Sequence, residues 1–367
     1  MSELIHIVEP TLTNEAGHCL SFVTTLALAR PNTRIALWAN RSAALTFSSK
    51  NVALKPYFFR KIRKIQCYFL YRKLLKSNEK IFVSTASRLD LRTFNLAAKG
   101  LFANNVIPEN KAYFYFHWMN ESHKKLASLK EIAQLQPNLH IFGTTPTQIS
   151  TFKHAGFEHA DVVPDPISAP AVSNATHTFA KVLFAGAARQ DKGFTHVVDL
   201  LEYAAKHKLD IPFLIQSSAE HFGKMDTATK EDVARLNSLT YPHLEVCKET
   251  LTPAQFLAHF AGAICIQVYN PADFADRISG VTLDALSAGS PILTLANTWM
   301  ARQVQRFNAG IVVNSTALEA MIDGLSEMIA NYATYNKNAQ QAGKVLQQEH
   351  SAQQLADLLF NQHKDNT

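Results

Sequence analysis

The chain has no uninterrupted apolar run near the ~18 residues a membrane-spanning helix needs, so no helical span is expected. Its opening residues, MSELIHIVEP, lack a basic segment followed by a long apolar stretch and do not read as a secretory signal. Cysteine is scarce. Cys19, Cys67, Cys247 and Cys265 show neither CxxC nor metal-ligand spacing, so reduced thiols in a cytosolic setting are expected, with no bound metal. The sequon at 174–176 then reads as a chance match. There is no GxGxxG fingerprint, and Asp191 stands where a P-loop beginning at Gly186 needs its second glycine. Acids are almost missing from Lys50 to Lys80, which holds ten Lys or Arg and only Glu79.

What is present is globular. The 367 residues are 47% hydrophobic and 18% charged, enough for two domains of ordinary size. Short β-branched runs alternate with helical periodicity, the pattern of parallel α/β units. Strands are expected at LIHIVE, RIALWA, KIFVST, AYFYFH, HIFGTT and ADVVP in the first half. In the second half they are expected at KVLFAG, IPFLIQ, HLEVCK, AICIQVY, PILTLA and GIVVN. Residues 165–178, rich in Pro, Ser and Ala, read as the linker between halves that share architecture but no repeat. Two helical runs, 317–332 and about 336–360, close the chain.

On open parallel sheets, ligands bind beyond the carboxyl ends of the strands. After KVLFAG comes a loop with Gly186, Arg189, Lys192 and Gly193, the last opening a helix. It reads either as a phosphate cradle or as a solvated charged turn. The segment 276–292, DRISGVTLDALSAGSPI, sets two acids around a helix start. Ser279 is a good N-cap, and the amides of Gly280, Val281 and Thr282 then point outward. Gly280 lets a ligand approach the backbone, and a diphosphate would accept those amides. Asp284, about one turn in, would reach sugar hydroxyls. The alternative is that Asp276 and Asp284 only stabilise the helix end.

Taken together, GAARQDKG resembles the G-R-x-x-x-x-K-G strand-end motif of GT-B glycosyltransferases of the retaining family 4 type. DRISGVTLDALSAGSPIL is similar to that family's E-x7-E segment, with Asp in both Glu positions and Ser279 in place of a Gly. Ala187 stands where the motif has Arg. The resemblance runs over most of residues 140–320, including the PDPI stretch at 164–167.

It implies an α/β protein of GT-B fold, with two Rossmann-like domains facing across a central cleft. Residues 1–168 would form the acceptor domain and 169–345 the nucleotide-sugar donor domain. Residues 346–367 would form a C-terminal helix packing back on the first domain. Lys192, Arg189 and the 280–282 amides would stabilise the leaving diphosphate. Asp284 would hold the ribose, and Asp276 would orient the transferred sugar. Gly17 lies where the family has a glycine loop, with Glu15 and His18 beside it. His117, following AYFYF, stands where the family often has an active-site histidine, and reads alternatively as a structural residue. The nucleotide base is expected near Gln216 to Ser218 and Lys248 to Leu251, including Thr250.

The expected activity is a hexosyltransferase-like transfer (EC 2.4 type) from a UDP- or GDP-sugar to a hydroxyl, retaining and independent of metal or other cofactor. A glycan or lipid-linked acceptor of the bacterial-type cell envelope is expected. The alternatives are a sugar-nucleotide epimerase of the same fold, or a non-enzymatic nucleic-acid binder, suggested by a pI of about 9.0 and the basic stretch 50–80. The basic-aromatic stretch around 55–76 reads either as an anionic-membrane surface on the cytoplasmic face or as a solvated face with inward aromatics. In the first reading Phe58, Phe59, Tyr68 and Phe69 enter the interface.

Overall fold

The computed structural model describes residues 3–13, 18–47, 49–119, 123–163, 165–166, 178–217, 225–249 and 251–360. Residues 167–177 of the expected linker, and Glu15, Gly17, Ser218 and Thr250, therefore lie outside the described residues. The chain divides into two compact units, 1–168 with 350–367, and 169–349.

In the first unit the strands are β1 (Leu4–Val8), β2 (Arg34–Asn40), β3 (Val52–Phe58), β4 (Lys80–Val83), β5 (Ala112–Phe116), β6 (His140–Gly143) and β7 (Ala160–Val162). They form one parallel sheet in the order β3-β2-β1-β4-β5-β6-β7. The helices between them are α1 (His18–Ala29), α2 (Arg63–Leu74), α3 (Arg88–Ala98), α4 (His123–Leu135) and α5 (Pro146–His154). A parallel sheet wrapped this way is covered on both faces, so its strands are apolar throughout. In β5, Ala112, Phe114 and Phe116 belong to one core cluster and Tyr113 and Tyr115 to the other, the period-2 alternation of a strand.

β3 was not expected. Its charged and aromatic residues and Pro56 argue against a strand, but proline is tolerated on an edge strand, where its missing N–H interrupts no inner ladder. The register with β2 shifts at Ala39/Asn40, opposite Pro56 to Phe58.

The second unit has β8 (Lys181–Phe184), β9 (Phe213–Gln216), β10 (Leu244–Cys247), β11 (Ala263–Gln267), β12 (Ile292–Leu295) and β13 (Gly310–Val313). The sheet is again parallel, in the order β10-β9-β8-β11-β12-β13. Its helices are α6 (Phe194–Lys206), α7 (Thr227–Ser238), α8 (Pro253–Ala258), α9 (Pro271–Phe274), α10 (Gly280–Ser287), α11 (Trp299–Phe307), α12 (Leu318–Ala330) and α13 (Tyr332–Glu349). In α8, Thr252 caps the first turn, with Pro253 at the first helical position, as its TP start demands.

The last expected helical run is broken in two. α13 ends at Glu349, and α14 (Ala352–Phe360) follows. The His350 Nδ1–H donates to the Asp165 carbonyl at 2.8 Å, which turns the chain into the first unit. There Leu355, Ala356 and Leu359 join the cluster of Ile5, Phe22 and Phe82, and Asp357 pairs with Arg30, just after α1.

In each sheet the strand order reverses once, between β1 and β4 and between β8 and β11. Those are the switch points at which an open α/β sheet leaves a crevice for ligand.

Candidate functional site

At the β8/β11 switch point the second unit brings together several of the residues expected at a site. Gly186 follows β8 with φ +93°, a conformation glycine adopts without Cβ strain. A Cβ there would lie 2.9 Å from Lys192 Nζ and 3.4 Å from Val281 Cγ2. The ammonium and the first turn of α10 therefore close over the same α-carbon. The Gly186 amide donates to Gln216 Oε1 at 2.6 Å, which brings the end of β9 into the cluster. Lys192 Nζ also sits 5.4 Å from the centroid of the Tyr269 ring. Burial lowers the Lys192 pKa to about 8, helped by the charge of Arg189 and opposed by Asp191.

Gly193 must be glycine for two reasons. Its φ is +71°, and a Cβ would fall on the Val268 carbonyl oxygen. Not every amide of the cradle expected there is open. The amides of Gly193 and Phe194 are taken by the Gln190 and Arg189 carbonyls. Behind the loop, Asp232 accepts hydrogen bonds from Gln190 and Thr195 and pins the turn to α7.

α10 starts as expected, with the Ser279 hydroxyl oxygen accepting from the Thr282 amide. That bond corrects the expectation of three outward amides. Thr282 is fully buried, its amide is occupied, and its hydroxyl donates to Gln267 Oε1 at 2.6 Å. The amides of Gly280 and Val281 remain without an acceptor among the described residues. Gly280 is exposed, with nothing within 4 Å of its missing Cβ, so the approach to those amides is open. Burial raises the Cys265 thiol to about 12; Lys192 acts on that thiol in the opposite direction, and Asp284, half-buried on the same helix, adds a smaller upward push.

Two expected residues are engaged by partners not foreseen. Arg189 forms a bidentate pair with Asp191, so its charge reaches the loop already matched to a carboxylate. Asp276 pairs with Arg302 Nη2 at 3.3 Å, and Arg302 also donates to the Ala275 carbonyl. Lys248 is exposed beyond β10, and Leu251 precedes the α8 cap; neither forms a hydrogen bond or ion pair with Gly186 or Lys192 among the described residues.

Arg277 was missed. Its guanidinium lies 3.7 Å from Asp191 and over the Phe274 ring, and burial lowers its pKa. Arg189 and Arg277 thus share the Asp191 carboxylate, and the Lys192 ammonium feels both Arg189 and Arg277, a gathering of positive charge that suits a dianionic group. The signal was an Arg between the two acids of 276–284.

In the first unit, His117 follows β5 and is half-buried. Its Nε2 lies 3.0 Å from the Ser84 carbonyl and its Nδ1 3.6 Å from Asp165 Oδ1. The rings of Tyr115 and Phe22 meet it edge-on. Glu9, at the end of β1, was also missed. It is fully buried and accepts hydrogen bonds from the hydroxyls of Thr11, Ser84 and Thr85. Glu9 thereby fixes the β4 end whose carbonyl holds His117. The signal was an acid directly after an apolar first strand.

No family model matches the chain, and no curated protein matches it in sequence. Solved structures do. WaaG, a glycosyltransferase involved in lipopolysaccharide biosynthesis, is 12% identical with a TM-score of 0.66, over 97% of this chain and 99% of that one. A trehalose-6-phosphate protein from E. coli bound with UDP-2-fluoro glucose is 9% identical, with a TM-score of 0.68 over all of both chains. HepE from Anabaena, in complex with UDP and glucose, is 13% identical, with a TM-score of 0.65 over 97% and 98%. Two parallel-sheet Rossmann-like units, matched along the whole chain by such structures, give this protein the GT-B fold of glycosyltransferases.

Proposed function

We propose that the protein transfers a hexose from a nucleotide-diphosphate sugar to a hydroxyl group. The observation that carries this reading is that Gly186 lies against both the Lys192 ammonium and the side chain of Val281, in the α10 turn whose Gly280 and Val281 amides are open among the described residues. When the bond from the anomeric carbon to the diphosphate breaks, negative charge grows on the departing oxygens. Fixed donors in a site of low dielectric stabilise that charge more than water does. Lys192, seconded by Arg277 and Arg189, supplies the charge, and α10 supplies the amides. This is the work a metal ion does in other transferases, and the reaction is assigned as metal-independent. Asp284 binds the ribose hydroxyls, Asp276 orients the transferred sugar once released from Arg302, and Gln216 lies toward the base. His117 contacts the sugar or the acceptor hydroxyl.

Retention of anomeric configuration is assigned by the resemblance to retaining enzymes of this fold. The donor is a UDP- or GDP-sugar. UDP or a UDP-sugar analogue in the structures of HepE and the E. coli protein supports the uridine choice. WaaG's part in lipopolysaccharide synthesis supports a cell-envelope glycan or glycolipid as acceptor.

A thermal-shift series with UDP, GDP, ADP and CDP tests the site, because a ligand of the native state raises its stability. One uridine or guanosine diphosphate should stand out. No shift with any of the four overturns the donor site. Incubation with the stabilising donor alone should leave the sugar unchanged; conversion to an epimer would make the enzyme an epimerase.

A further inference from the structure

We propose that α2 and the loop before it form a docking surface for an anionic lipid bilayer. α2 is apolar on two faces. Cys67, Leu70, Tyr71 and Leu74 point into the core, as a helix on a sheet requires. Ile62, at its cap, and Ile65 and Phe69 repeat at i, i+3 and i+7 on the other side, and are 48%, 61% and 59% exposed. Phe59, one turn earlier, is 45% exposed. A water-facing helix stripe is ordinarily polar, and an apolar one marks an interaction site.

The charges around the stripe name the partner. Arg60, Lys61, Lys64, Lys73 and Lys76 are exposed, and none is in an ion pair among the described residues. No acid interrupts the segment before Glu79. The first turn of α2 holds no acid, and its Arg63 and Lys64 oppose the helix dipole, so an outside anion there is favourable. A second copy of the chain would bring the same positive patch against itself. A nucleic acid would stack on Phe59 and Phe69 but gain nothing from burying Ile62 and Ile65 between them. Aliphatic and phenyl groups ringed by cations match acyl chains beneath anionic headgroups.

Two of the four aromatics expected at this interface do not belong to it. Phe58 is fully buried and Tyr68 packs against the core, leaving the isoleucines in their place. The N-terminal end of α2 lies on the carboxyl edge of its sheet, since the chain leaves β3 there, and His117 lies on that edge too. The bilayer would hold a lipid-borne acceptor at this edge, a consequence that rests on the glycosyl-transfer reading.

Sedimentation of the full chain with vesicles tests the surface. With phosphatidylcholine-phosphatidylglycerol vesicles at low salt the protein should pellet, and with phosphatidylcholine alone it should not. Raising salt to about 0.5 M should weaken binding by about tenfold or more, since the Debye length shrinks severalfold. Ile65→Ser with Phe69→Ser, and separately Lys61→Gln with Lys64→Gln, should each weaken it about tenfold, while Leu135→Ser, exposed on α4, should not. No binding at low salt, equal binding to neutral vesicles, or full binding by the folded Ile65/Phe69 variant would overturn the proposal. So would duplex DNA bound as tightly as the anionic vesicles, or a dimer that the same substitutions dissolve. The assay contains no sugar donor, so its failure leaves the transferase reading standing, and an inactive enzyme that pellets leaves the surface standing.

Discussion

Lys192 lies against the α-carbon of Gly186 and over an aromatic ring, and has exchanged water for protein. Its pKa of about 8 is far below the ~10.4 of a free lysine. Between those values the native state binds fewer protons than the unfolded chain. The buried charge therefore costs stability in full below about pH 8, and the cost is progressively relieved as pH rises from there toward ~10.4. A bound diphosphate reverses the balance by favouring the ammonium. Nucleotide binding near pH 8 should take up a proton, and affinity should fall as pH rises beyond it. Calorimetry in buffers of different ionisation enthalpy reads both effects, and Lys192→Ala should abolish them. The same variant should lose about 10²–10³ in kcat with its fold intact, the usual effect of removing one preorganised donor; unchanged turnover would remove Lys192 from the site. Asp284→Ala should weaken nucleotide binding by about 1.5–3 kcal/mol, the worth of charged hydrogen bonds to a diol. Asp276→Ala should leave nucleotide affinity unchanged, and kinetics with the intact sugar donor should show the loss.

The elements that hold these residues are joined by very close approaches. Gly193 lets the start of α6 pass directly against the end of β11, and Gln267 on that strand ties down Thr282 of α10. Gly193→Ala would force a Cβ into backbone at a left-handed φ. Such strain costs about 1–3 kcal/mol before the collision is counted, so urea unfolding should show at least that loss. Ser279→Ala leaves the helix but removes its cap. It should cost about 1 kcal/mol of stability and raise the KM for the donor, because the Gly280 and Val281 amides belong to the turn that frays.

At the scale of the molecule, the chain returns to its first unit after completing its second. α14 fills a groove beside α1 with Leu355 and Leu359, both fully buried. Leu359→Ala should destabilise the first unit by about 2–5 kcal/mol, the cost of a core cavity. Hydrogen exchange should then quicken across β1, β2 and β4 and leave β8 to β13 unchanged, since units with separate cores open separately. Uniform acceleration in both would contradict the division.

The sequence by itself determined most of the architecture. Buried parallel strands must be apolar runs and their crossover helices must show a 3.6 period, so twelve of the thirteen strands among the described residues were readable. β3 escaped because an edge strand tolerates the proline and charges that argue against one. Gly186, Lys192, Ser279 and Gly280 were legible because turn, charge and cap chemistry are local. Which groups face one another was not legible, because that depends on strands being adjacent in space. Only the tertiary structure decided that Gln216 holds Gly186, that Arg189 and Arg277 share Asp191, that Asp276 meets Arg302, and that Glu9 braces the segment holding His117. Burial decided the rest. The same stretch of cations and aromatics contains Phe58, sealed in the core, and Phe69, left in water, and no period in the sequence separates them until the sheet chooses a face of α2.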